Sequence, residues 1–320
     1  MQERTKKNFI FFIPAFVALL DAVVDFAVPT HPKVNSDGVP YFGYLMLAVA
    51  LYYLIKAIIA SGNPAYGVKY RPRIKFVSAV LILLGVIAYM TDKAMILPKI
   101  YFPSVNNVIN SAIKEWEMLL TCTLYSIRLL FFGIVFGGIA GVATGILIGW
   151  NKKINYWVYP IIRFIGPLPN AIWIPISLLV FPSLFSASVF IVALTMWFPT
   201  TIQTSSGIQN VSKGYYDVAD TLGASTVYQI LRISIPAAMP QIFVGIFSGV
   251  TTSFVSLMLA ELMGSKYGIG WYINWKQQIM NYANVWVALL ILATLCFFTI
   301  KMLFVLRNKF LSWQEGIIRW

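Results

Sequence analysis

Eight apolar runs, each close to the length of a membrane-spanning helix, occupy most of the 320 residues: 8–28, 41–61, 74–92, 122–149, 156–181, 184–205, 238–262 and 284–306. About 20 largely apolar residues cover the hydrocarbon thickness as a helix. In lipid, every backbone polar group must be satisfied within such a segment. The pattern therefore predicts an all-α polytopic membrane protein. Composition agrees, since only 11% of residues are charged, where a soluble domain carries roughly a quarter. The first run follows Arg4, Lys6 and Lys7, as a signal peptide would, but no small-x-small cleavage site follows it and Asp21 and Asp25 interrupt its far end. It is read as a retained first span.

The net charge of +13 does not mark a nucleic-acid binder, because the basic residues are scattered between apolar runs. They report orientation instead. With the N-terminus cytoplasmic, the inside segments hold Arg4, Lys6, Lys7, Lys69, Arg71, Arg73, Lys75, Lys152, Lys153, Lys213, Arg232, Arg307, Lys309 and Arg319. The outside segments hold Lys33, Lys93, Lys99, Lys114, Lys266 and Lys276, a bias of fourteen to six. Positively charged loops stay on the cytoplasmic side, so both termini and the polar loop 207–236 are expected there. Trp271, Tyr272, Trp275 and Tyr282 cluster in an outer link, where amphipathic rings favour the headgroup layer. Cys122 and Cys296 have no CxxC partner, so neither a disulfide framework nor a metal site is expected.

Three segments carry more than hydropathy. The fourth span holds Gly133, Gly137, Gly141, Gly145 and Gly149, four apart on one slowly drifting helix face. That stripe lets another backbone approach closely, with or without a moving part. The fifth span is interrupted by Pro160, Pro167, Pro169 and Pro175. Each proline removes a backbone donor, and irregular backbone survives at membrane depth only where protein or a watery cavity surrounds it. The stretch Gly166 to Asn170 thus reads either as a broken helix lining a path or as a kink held by its neighbours. Arg128, Arg163 and Glu261 lie near span ends, where snorkelling to the interface competes with a gating or ion-pairing role. No catalytic or phosphate-binding motif occurs, and the lone His31 sits in an outer loop.

The loop 207–236 contains Asp217-Val218-Ala219, Gly223 four residues after Ala219, and Ile233-Ser234-Ile235-Pro236. Asp217 to Leu222 can form a short helix with an acid in its first, electropositive turn. Gly223 can end it in the left-handed conformation. Thr226 to Ile233 starts a second short helix, and Pro236 marks the return to the membrane.

This spacing resembles the EAA loop of ABC importer permeases. Residues about 75–307 are similar, in order, to the nitrate, sulfonate, taurine and bicarbonate branch of type I importers. The supporting pieces are Leu97-Pro98 with Phe102-Pro103-Ser104, Ser126-Ile127-Arg128 before Gly133, the proline-rich fifth span, Trp197-Phe198-Pro199, and Ala260-Glu261 with Gly268-Ile269-Gly270-Trp271. Two departures stand out: Asp-Val-Ala in place of Glu-Ala-Ala, and an extension at 1–73 holding two extra spans.

The resemblance implies a type I importer transmembrane domain at 74–320 with a six-helix core. It also implies that the chain is no enzyme and holds no cofactor or metal, ATP being bound by a partner. The partners implied are cytoplasmic ATPase subunits, a second permease subunit (identical or not), an extracytoplasmic binding protein and membrane lipid. Asp217, Ala219, Leu222, Gly223, Ile233 and Pro236 would couple to the ATPase. Pro167, Pro169, Asn170, Trp197, Ser253 and Glu261 are the candidates for the translocation path. The expected substrate is a small anion of the sulfonate, nitrate or taurine type, with a vitamin- or pyrimidine-like compound as the alternative. An ion-coupled secondary transporter would need an acid or histidine at mid-membrane, and a membrane enzyme would need a cluster of ligands or nucleophiles. The sequence offers neither.

Overall fold

The computed structural model describes residues 10–32, 39–98, 100–166 and 168–311. Among these, the chain forms thirteen α-helices: α1 (Ile13–Ala27), α2 (Tyr41–Gly62), α3 (Pro64–Ala88), α4 (Val105–Lys114), α5 (Trp116–Trp150), α6 (Lys152–Ile165), α7 (Trp173–Val180), α8 (Leu184–Gln209), α9 (Lys213–Thr221), α10 (Thr226–Gln229), α11 (Ile235–Leu262), α12 (Ile269–Gln278) and α13 (Tyr282–Phe310). Seven helical stretches are long and apolar enough to cross a membrane, and α6 with α7 makes an eighth if that pair is one span. Pro167 lies outside the described residues, as do Arg4, Lys6, Lys7, Lys33, Lys99 and Arg319 of the charge count.

The chain divides into two compact units, residues 1–116 with 276–287, and residues 117–275 with 288–320. The domain boundary expected at 73/74 falls inside α3. The link expected before the third span shrinks to Asn63, whose side chain accepts the amides of Ala65 and Tyr66 and starts α3 at Pro64. Proline at the first helical position loses no hydrogen bond. Lys69, Arg71, Arg73 and Lys75 therefore lie on the first turns of a long helix rather than in a loop.

In the first unit, α1, α2 and α3 bury Ala18, Ala22, Phe42, Met46, Leu81 and Ala88 against one another. A polar clasp is buried with them. Asp25 accepts the amide of Gly43 at 2.9 Å, Asn106 accepts that of Phe42 at 2.8 Å, and Asn106 donates to Asp92 at 2.8 Å. Lys93 lies 3.5 Å from the Asp25 carboxylate and donates to the carbonyls of Asp25 and Val28. Two amides that open α2 thus find partners in trans. Lys276 pairs with Glu115 at 2.7 Å in the same unit.

In the second unit the glycine row of α5 meets α8. A methyl built on Gly137 would lie 2.7 Å from Met196 Cβ, on Gly141 2.7 Å from Thr200 Cβ, on Gly145 2.5 Å from Thr204 Cβ, and on Gly149 2.7 Å from Ile208 Cβ. Gly133 faces Val192 in the same way. Both numbers rise together at a constant offset of 59 (192 − 133, 208 − 149), so α5 and α8 run parallel with their four-residue rows in register. The same stretch of α8 packs antiparallel on α11, where methyls on Gly245 and Gly249 would come within 3.0 Å of Thr200 and Met196 backbone. Small residues let backbones approach where lipid gives no apolar driving force. Phe247 and Phe304 then stack α11 on α13.

Candidate functional site

The loop 207–236 folds into a helical corner. α9 begins at Lys213, after Ser212, so Asp217 sits mid-helix and not in the first turn. The favourable dipole position expected for it is therefore not realised. The stop at Gly223 is realised in detail: its φ is +71°, its amide bonds the Asp220 carbonyl at 3.0 Å, and the Ala224 amide bonds the Ala219 carbonyl at 2.9 Å. These two bonds make a Schellman close, which needs a residue free of the Cβ penalty. The second helix is not separate, because α10 continues through a π-helical turn, Ile230–Ser234, directly into α11. Pro236 is the second residue of α11, directly after the π turn.

The corner is braced from within. Gln229, 7% exposed, donates to Asp220 at 2.6 Å and to the Ala224 carbonyl at 3.2 Å. Tyr216 and Ser234 share a hydrogen bond of 2.8 Å, and Tyr216 packs edge-on against Trp150. Sequence reasoning missed Tyr216, Asp220 and Gln229, whose nine-residue and eighteen-residue separations mean nothing until the corner closes. Next to the buried Ala219, Tyr215 and Val218 of α9 and the C-cap Leu222 follow at helical spacing and are 63%, 60% and 80% exposed. Asp217 is exposed beside them, and Ile233 is half-buried in the π turn. An outward apolar stripe on a polar loop is the reverse of the pattern that buries a surface helix.

The broken fifth span is the second feature. α6 and the segment from Asn170 to Val180 meet at 92°. A methyl on Gly166 would penetrate the Phe198 ring, so the corner is seated on Phe198 of α8. A cavity of about 260 Å³ opens beside it, lined by Pro169, Asn170, Trp173, Thr195, Trp197 and Thr252 among others. Of the expected path residues, Pro169, Asn170 and Trp197 come together here. Asn170 donates to Ser256 at 2.8 Å, Ser256 pairs with Thr195 at 2.7 Å, and Trp197 donates to Thr144 at 3.0 Å. The Trp173 indole N–H has no hydrogen-bond partner among the described residues.

Ser253 and Glu261 lie elsewhere. Ser253 is fully buried and donates to the Gly249 carbonyl. Glu261 is 1% exposed, so snorkelling is not its solution. Ser126 of α5 donates to it, and the Gly270 amide donates at 2.6 Å. Glycines at 268 and 270 make room, since a methyl at either would crowd the carboxylate. Tyr272, expected in the headgroup layer, is buried. Arg163 is exposed on the last turn of α6. Among the described residues no group of His, Cys, Asp and Glu could hold a metal ion.

Comparison with known proteins follows this geometry. The family model described as binding-protein-dependent transport system inner membrane component matches residues 133–311. A bicarbonate transport system permease protein of Synechococcus elongatus is 29% identical over 199 residues, 62% of this chain and 69% of that protein. A nitrate import permease protein of Leptolyngbya laminosa is 32% identical over 148 residues, 46% of this chain and 53% of that protein. A putative aliphatic sulfonates transport permease protein of Bacillus subtilis is 29% identical over 184 residues, 58% and 67% of the two chains. Among solved structures, an inward-facing methionine ABC transporter shares the fold with a TM-score of 0.55 at 14% identity, covering 62% of this chain and 98% of that one. The chain is therefore a multi-pass inner-membrane protein and not an enzyme, and it belongs to the binding-protein-dependent transport system inner membrane components, the permease subunits of ABC importers, in the branch of the nitrate, sulfonate and bicarbonate permeases.

Proposed function

We propose that this permease carries a small oxyanion across the membrane and takes its power from an ATPase docked on the corner at 213–236. The observation that carries the docking reading is the exposed stripe of Tyr215, Val218 and Leu222 on a corner braced by Gly223 and Gln229. A rigid knob with an apolar face can transmit a push, whereas a solvated loop would absorb it. In this reading both termini are cytoplasmic, two permease subunits enclose the path, and an external binding protein delivers the solute. ATP binds only to the partner; its closure tilts the corner, and α10 passes the motion without a joint into α11.

The anion reading draws on the relatives named for bicarbonate, nitrate and sulfonates. The cavity beside Asn170 supports it through the Trp173 indole N–H, unpartnered among the described residues, and the hydroxyl and amide groups around it. None of its lining residues is charged, which suits passage better than tight binding. Residues 1–73 are proposed to be an added two-span extension of the transport domain at 74–320.

The test is Gly223→Val, together with Leu222→Glu, assayed for uptake of nitrate, bicarbonate and a short alkanesulfonate in cells. Valine is strained at φ +71°, and the site is exposed, so membrane abundance should hold while uptake falls by about tenfold or more. Normal uptake in both variants would remove the docking assignment. Uptake of none of the three anions by the wild type would remove the substrate class alone.

A further inference from the structure

Arg128 of α5 has no role in the transport reading above. It projects from α5 at the level where α8 begins, since Gly133, just over one turn further along, abuts Val192, two turns into α8. Its side chain is exposed, and its guanidinium lies 4.6 Å from the Phe185 ring centroid. It has no ion pair or hydrogen bond with any described residue. Next to it a groove of about 450 Å³ runs between the two helices, lined chiefly by Phe132, Phe136, Phe181, Phe185 and Phe190. Phe132 and Phe136 stand one and two turns deeper than Arg128 and stack at 6.0 Å. Phe132 meets Phe185 edge-on at 6.1 Å, and Phe181 leans on Phe190 at 5.0 Å.

We propose that this groove is a binding site for one anionic phospholipid, its phosphate on Arg128 and an acyl chain along the phenylalanines. The chemistry divides along the membrane normal as a lipid does. A cation stands at the end of a span, and an apolar trough runs from it towards the bilayer centre. At the end of a span the guanidinium reaches the headgroup layer, and a phosphate diester there matches its planar donor fork. The acyl chain leaves a medium as apolar as the trough, so the trough contributes shape and dispersion contact, and the preference for the site rests on the phosphate. A zwitterionic headgroup fits less well, because no carboxylate lines the groove to receive its ammonium.

The experiment is native mass spectrometry of the purified protein incubated with equal phosphatidylglycerol and phosphatidylcholine. Wild type should retain one phosphatidylglycerol about tenfold over phosphatidylcholine, the factor expected of a single charge-assisted contact. Arg128→Gln should lose that preference, and Arg128→Lys should keep most of it. Val189→Trp fills the trough from its wall and leaves Arg128 in place, so it should also release the lipid and serves if the glutamine variant does not fold. Melting temperatures accompany each variant. Equal retention of both lipids by wild type, or unchanged phosphatidylglycerol on Arg128→Gln, overturns the proposal.

Discussion

The hydroxyl of Ser126 donates to the carboxylate of Glu261 and at the same time accepts the amide of Ile269 at 2.9 Å. One side chain on α5 thus ties the end of α11 to the start of α12. Glu261 completes the knot by taking the Gly270 amide, and no basic side chain pairs with it among the described residues. The carboxyl group is held by neutral hydrogen-bond donors, which ties the end of α11 to the start of α12 in one geometry.

Breaking that knot should destabilise the second unit in a graded way. Glu261→Ala strands the Ser126 hydroxyl and the Gly270 amide in a dry site, at roughly 1–3 kcal/mol for each. Glu261→Gln keeps one acceptor, and Ser126→Ala leaves the Ile269 amide unmet, so each should cost less than the alanine change at 261. Thermal unfolding in detergent should show Glu261→Ala as the least stable of the three. A Glu261→Ala protein as stable as wild type would show the carboxylate to be idle.

The glycine row permits a sharper contrast. A methyl on Gly141 would sit 2.7 Å from Thr200 Cβ and 3.0 Å from the Trp197 carbonyl, neither of which can move away freely. Gly138, on the same helix, would meet only the flexible end of Met196 at 3.4 Å. Gly141→Ala should therefore cost about 1–3 kcal/mol by overpacking. Gly138→Ala should be neutral or gain up to about 1 kcal/mol from helix propensity. The pair of melting curves checks it, and equal shifts would mean that α5 does not close on α8 as described.

How much of this was legible in the sequence depends on the range of the physics involved. Gly223 could be read as a stop because the demand for positive φ is local to one residue. The period of four in α5 gave the packed face, since helix geometry repeats within the segment. Its partner row of Val192, Met196, Thr200, Thr204 and Ile208 looks like any mixed face of a span. Glu261 read as a span-end acid that either snorkels or serves gating, because nothing local says that residues 268–270 fold back over it. Gly268 and Gly270, within ten residues of the acid, were the available sign. The helix start at Lys213 moved Asp217 out of the electropositive turn, a displacement of one turn that boundary signals do not resolve.

The clasp in the first unit supports the last prediction. Asp25 sits 3.5 Å from Lys93, with side chains only 4% and 5% exposed, and it also caps Gly43 at the start of α2. Removing the carboxylate leaves a buried ammonium facing only carbonyls and an orphaned amide. Asp25→Ala should therefore cost about 3–5 kcal/mol, the penalty of breaking a buried pair from one side. Lys93→Met should cost less, because Asp25 keeps the Gly43 amide and the more distant Asn106. The double variant removes both charges together, and its loss should fall below the sum of the singles by 1 kcal/mol or more. Limited proteolysis of the α1–α2 hairpin, followed against denaturant, measures each term. Strict additivity would show that Asp25 holds the hairpin through the Gly43 amide alone, with Lys93 satisfied by the Asp25 and Val28 carbonyls.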